Sequence, residues 1–146
     1  MNKSSYEQVL EEQGRLVYSN TGYSMLPLLR QHRDLMVIEA RPKGRCKKYD
    51  AVLYRRDNQY ILHRILKVRP NDYVICGDHN WIREFGIKDE QIVGILKAVV
   101  RDGKEISVTD WKMRLYAHLW CDFYYVRAGV LITMDLLRRI KRKIIK

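Results

Sequence analysis

Ile92-Val93-Gly94-Ile95-Leu96-Lys97-Ala98-Val99-Val100 is a long, strongly apolar run, followed by Asp102-Gly103 and then by Glu105-Ile106-Ser107-Val108. Asp-Gly between two such runs marks a tight hairpin, because both turn residues must take a positive φ and these two types tolerate it. The same signature recurs toward the N-terminus. Arg15–Tyr18, Leu35–Ile38, Ala51–Tyr54, Tyr60–Val68 and Tyr73–Cys76 are short runs with strand character, and Asp57-Asn58 turns the third into the fourth. Closely spaced, turn-separated strands predict an all-β sandwich or barrel over residues 15–109.

The two ends read differently. Ser4-Ser5-Tyr6-Glu7 fits a capping box, with Ser4 as the cap. It predicts a short helix that runs to about Gln13 and stops at Gly14, with Tyr6, Val9 and Leu10 as its apolar face. From Asp110 onward, Leu115, Leu119, Phe123, Val126, Val130, Met134, Leu137, Ile140 and Ile144 follow at steps of three or four. That is one helical stripe, with Gly129 the expected weak point. The expected organisation is an N-terminal helix over 1–14, a β domain over 15–109 and a basic amphipathic helical tail over 110–146.

Composition narrows the class. Of 146 residues, 47% are hydrophobic, enough for a packed core and too many for a disordered chain. Three scattered cysteines argue against a disulfide framework and for a reducing compartment. No apolar run has the length of a membrane span, and residues 1–14 lack the apolar core of a targeting signal. The net charge is +11; residues 111–146 hold nine Lys/Arg against two Asp, a net of +7. An anionic partner is therefore expected for the tail.

Chemistry is carried by Thr21-Gly22-Tyr23-Ser24-Met25-Leu26-Pro27, His63 and Cys76-Gly77-Asp78-His79-Asn80. A serine attacks an amide when a base takes its proton, an acid holds the base's tautomer, and donors await the oxyanion. Each residue also has an ordinary structural reading: Ser24 and Asp78 as turn formers, His63 as a core histidine between Ile61 and Ile65. Cys76, Asp78, His79 and His63 lack the paired spacing of a metal site, so no metal or other cofactor is expected.

Tyr23-Ser24-Met25-Leu26-Pro27 resembles the Ser-Met-x-Pro nucleophile motif of the signal peptidase I superfamily, which also contains the self-cleaving repressor peptidases. His63-Arg64-Ile65 resembles the His-Arg segment of its endoplasmic-reticulum and archaeal branch, where histidine replaces lysine as base. Gly77-Asp78-His79-Asn80 is similar to the family's Gly-Asp-Asn-Asn segment. The likeness covers about residues 15–100, in the family's order. It implies a mainly β signal-peptidase-like or repressor-peptidase-like fold, here with a short N-terminal helix and a long amphipathic C-terminal helix. It also implies Ser24 as nucleophile and His63 as base, with Asp78 or Glu84 as the acid; Glu84 stands about where that branch has aspartate. The Ser24 N–H, flanked by Gly22 and Tyr23, is implied as oxyanion and substrate-binding backbone. Gly22 and His79 depart from the family pattern.

The expected function is a serine endopeptidase that cleaves a peptide or protein substrate, such as a leader or signal-like segment. The alternative is an inactive peptidase-fold binding module acting through a strand edge or the basic helix. With no N-terminal anchor in view, a cytoplasmic enzyme is expected, peripheral on the inner face of the membrane if the tail binds lipid. The tail has three open readings: packing on the β domain, on a second copy, or in a membrane interface. Nucleic acid is not expected as a partner.

Overall fold

In the computed structural model, which describes residues 5–145, the 92–108 stretch forms the hairpin its sequence predicts. Eight strands, β1 (Arg15–Ser19), β2 (Asp34–Ala40), β3 (Ala51–Arg56), β4 (Gln59–Val68), β5 (Tyr73–Cys76), β6 (Glu84–Ile87), β7 (Ile92–Arg101) and β8 (Lys104–Ser107), make one antiparallel sheet. Its order is β1-β2-β7-β3-β4-β5-β6, and β8 pairs with β7. Asp102 and Gly103 both have positive φ, 50° and 74°, as the turn between β7 and β8 requires.

Strand β7 is central because it carries the longest apolar run and is covered on both faces. Leu96 and Val99 enter a first core cluster and Ile92 and Ile95 a second. In β3, Ala51 and Leu53 face the first cluster while Val52 and Tyr54 face the second. This alternation with both faces buried explains why the run is apolar except at the exposed Lys97.

Helix α1 (Ser5–Gln13) lays Leu10, Tyr6 and Val9 on the first cluster and ends at Gly14, whose N–H donates to Leu10 O. The Ser4 cap lies outside the described residues. Strand β6 has no counterpart among the predicted runs. It is a four-residue edge strand interrupted by Gly86 at φ 76°, too short to show a period. The tail is helical but divided: α2 (Trp111–Asp122) and α3 (Tyr124–Ile144) meet at Phe123. The interruption therefore falls at Phe123, with φ −99° and ψ 30°, and Gly129 lies inside α3 without breaking it. Asp110 caps α2 by accepting from Lys112 N, as its position predicts.

Two aspartates brace the loops, Asp34 buried and Asp50 half-buried. Asp34 accepts from Arg33, Arg101 and Arg30 N, and Arg101 also donates to Leu28 O, which fixes the end of the Ser24 loop. Burial opposes ionisation, yet the bonds from Arg33, Arg101 and Arg30 hold this carboxyl well below the usual range. Asp50 accepts from Lys47 N. Both accept a backbone N–H from three or four residues earlier, as turn aspartates do.

Candidate active site

Ser24 lies in the loop between β1 and β2. The loop is held down by its apolar residues: Met25, Leu28 and Leu29 are buried in the first core cluster. The Met of the Ser-Met-x-Pro run is thus an anchor that leaves the neighbouring Ser24 at the rim of a cavity. That cavity, of about 470 Å³, is also lined by His63, Asn80, Glu84, Thr21 and Tyr18. Gly22, at φ 94°, and the exposed Tyr23 flank Ser24 in the chain but are not among its lining residues.

His63 comes from β4, opposite Val52 of β3, and is 5% exposed. Its Nδ1 stands 3.1 Å from Glu84 Oε1. Glu84 is fixed in turn by the Tyr54 hydroxyl, which donates to Oε1 at 2.8 Å, and by Arg56, 3.0 Å from Oε2. A carboxylate at Nδ1 favours the tautomer with the proton on Nδ1 and a free lone pair on Nε2. Burial lowers the His63 pKa; Glu84 pulls it back up and Arg56 pushes it further down. The ring is therefore neutral at pH 7, the state a general base needs. Burial, then the bond to Glu84, pushes the Tyr54 phenol above its ordinary range, so Tyr54 stays a donor.

Nε2 faces the Gly77–Asn80 turn. A β-carbon on Gly77 would sit 2.7 Å from Ser24 O, 2.7 Å from Asn80 Nδ2 and 2.9 Å from His63 Nε2. These three atoms crowd one point, and only a residue without a side chain leaves them there. His79 N donates to Ser24 O at 2.8 Å, which ties the serine loop to this turn. The hydrogen-bond partners of the His63 ring, Tyr54 and Glu84, are both at Nδ1. No bond from Ser24 Oγ to Nε2 is formed among the described residues.

Asp78 is placed elsewhere. It is 2% exposed and takes a two-pronged bond from Arg64, at 2.8 and 2.9 Å, plus one from the Tyr116 hydroxyl at 2.8 Å. Its backbone O accepts from Trp120 Nε1 and Arg127. Asp78 thus joins the turn to α2 and α3, while Glu84 meets the histidine. Burial opposes but Asp78 outweighs it, raising the Arg64 pKa further.

Asn80, which the sequence placed only within the Gly-Asp-His-Asn segment, brings an amide donor to the cavity. Tyr54 and Arg56 also have no local sequence signal, because they reach Glu84 only through the successive pairing of β3, β4, β5 and β6. For Arg127 a signal exists: it is a lone cation amid the apolar residues of the helical tail. It donates to Gly77 O, Asp78 O and Asn80 O, at 3.3, 2.7 and 2.7 Å.

No family model matches this chain, and no curated protein matches it either. Among the described residues, no group of three His, Cys, Asp or Glu is placed to hold a metal ion. Cys76, within the sequence motif, instead donates to Asn80 O and Ile82 O, and burial raises its pKa.

Proposed function

We propose that this chain is a serine endopeptidase of signal-peptidase-like β fold, with Ser24, His63 and Glu84 as its reacting unit. The observation that carries the reading is the Glu84–His63 contact at Nδ1, with Nε2 turned toward the turn that bonds the serine loop. In this mechanism Ser24 Oγ attacks the substrate carbonyl carbon and its proton passes to His63 Nε2. Glu84 stabilises the imidazolium that forms. The Ser24 N–H and Asn80 Nδ2 donate to the oxyanion. The amide C–N bond then breaks, and His63 hands its proton to the leaving amine. Water, activated by the same Nε2, releases the acyl group.

Catalytic hydrogen bonds are often long in a free enzyme and tighten with substrate, so the open Ser24–His63 gap is compatible with this scheme. An extended peptide would add to a strand edge near Ser24. Strand β1 pairs with β2 and forms one end of the sheet order, so its outer edge offers backbone groups to such a segment. Three free cysteines, all buried, suit a reducing, cytoplasm-facing location.

The same open gap favours the second reading, a binding module that keeps the fold without the reaction. The test is cleavage of a peptide pool by the purified chain, by Ser24→Ala and by His63→Ala, followed by mass spectrometry. The peptidase reading predicts products from the parent alone; equal product patterns from all three proteins would sink it.

A further inference from the structure

The apolar stripe of the tail helix points away from the protein. Helix α3 touches the body through Tyr124 and Ala128, which pack with Cys76, Leu66 and Trp81. Val126 and Val130 are each two positions further on, which at 3.6 residues per turn is the far side of the helix. Met134, Leu137, Ile140 and Ile144 continue that far side at steps of three and four. All six are exposed: Val126 by 66%, Leu137 by 60% and Ile144 by 77%. After Ala128 no described residue of α3 is buried. The stripe continues across the Phe123 junction onto Leu119 and Leu115 of α2, also exposed. The tail therefore carries a long apolar ridge that the body of the protein leaves uncovered.

The charges say what covers it. The last turns of α3 hold Arg138, Arg139, Lys141, Arg142 and Lys143. The acid in this helix, Asp135, is bonded to Arg139 at 2.8 Å. Two copies laid stripe to stripe would bring two such cationic clusters onto one assembly. A nucleic acid would satisfy the cations and leave the apolar ridge in water. An anionic bilayer surface satisfies both: the ridge enters the boundary between headgroups and acyl chains, and the cations meet lipid phosphates. Among the described residues no helix is long and apolar enough to cross a membrane, so the fitting geometry is a helix lying in the surface.

We infer that α2 and α3 form a surface-docking device for anionic lipid, holding the chain on a membrane through the outward stripe and its basic flank. The inference does not depend on peptidase activity, and its test reads binding alone. The full chain is floated with vesicles of phosphatidylcholine, or of phosphatidylcholine mixed with phosphatidylglycerol. It is expected to float with the mixed vesicles and not with phosphatidylcholine alone, and to be released by high salt. Val130→Glu combined with Leu137→Glu is expected to cut binding by about tenfold or more. Arg138→Glu with Arg142→Glu is expected to cut it by about tenfold. All four positions are exposed, so an unchanged melting transition and circular dichroism spectrum separate lost docking from lost fold. Failure of the parent chain to float overturns the inference, as does unimpaired binding by the Val130/Leu137 variant. So does sedimentation as a dimer that this variant converts to monomer, because the stripe would then belong to a second copy.

Discussion

Glu84 Oε1 stands 3.1 Å from His63 Nδ1, and the strand that presents Glu84 is the one least visible in the sequence. Two acids competed for this place. Asp78, the one inside the recognisable Gly-Asp segment, is spent on Arg64 and Tyr116. The acid that reaches the imidazole also receives the Tyr54 hydroxyl and Arg56, so its oxygens are held in place on both sides.

These different surroundings separate the two substitutions. Glu84→Gln should keep the fold and lower kcat by about 10²–10⁴, the range for losing the acid that fixes a histidine tautomer. Asp78→Asn should instead destabilise the chain by about 3–5 kcal/mol, because Arg64 remains buried without its counter-charge. Urea denaturation alongside steady-state cleavage assays checks both. Similar stability losses for the two variants would contradict the assignment.

The titration of His63 sets the acid limb. Burial outweighs Glu84, so its folded pKa lies below the usual 6.5. The rate should hold as pH falls to 6.5 and drop only below it, following loss of neutral Nε2. The stability contribution has the same direction. Above 6.5 the ring is neutral in both folded and unfolded chains and contributes nothing. As pH falls below 6.5 the unfolded chain binds the proton first, and stability is lost down to the folded pKa. A pH profile of kcat/KM with its acid inflection above 6.5 would oppose this reading. His63→Gln should remove the corresponding part of the pH dependence of unfolding.

Much of this architecture is legible in local sequence, and the exceptions share a cause. The 92–108 hairpin, the helix ending at Gly14 and the Ser24 loop each rest on residues adjacent in the chain, so local pattern suffices. Strand β6 exists because β5 offers it an edge; Glu84-Phe85-Gly86-Ile87 has little strand preference of its own. The choice between Asp78 and Glu84 depends on which of them Arg64 captures, and that contact joins β4 to the turn after β5. The tail's stripe was legible, but not which side of the helix meets the body. Tyr124 and Ala128 decide that, since they pack where Cys76 and Trp81 leave room.

Asn80 gives a sharper test of the oxyanion site. Its Nδ2 crowds the same point as Ser24 O and His63 Nε2. Asn80→Ala should lower kcat by about 10²–10³ with little change in KM, as for other single oxyanion donors. Asn80→Asp should be no better, since a carboxylate would repel the oxyanion. A fall confined to KM would mean that Asn80 binds substrate and does not stabilise the transition state.

Gly77 is where packing and chemistry meet. Alanine there places a methyl group 2.7 Å from Ser24 O and 2.9 Å from His63 Nε2. The first neighbour is backbone and cannot rotate away, so the serine loop or the turn must shift. Overpacking of this kind costs about 1–3 kcal/mol. The turn has little freedom to yield, because Arg127 holds the carbonyls of Gly77, Asp78 and Asn80 from α3. The strain should therefore fall on the Ser24–His63 spacing, and Gly77→Ala should lose cleavage by about 10²-fold or more while still folding. Arg127→Ala, added to Gly77→Ala, frees the turn. The double variant should recover part of the lost rate while melting at a lower temperature than either single variant. Assays of the parent and the three variants at one temperature, with melting curves, decide it. A double variant no faster than Gly77→Ala alone would show that the turn is not what transmits the strain.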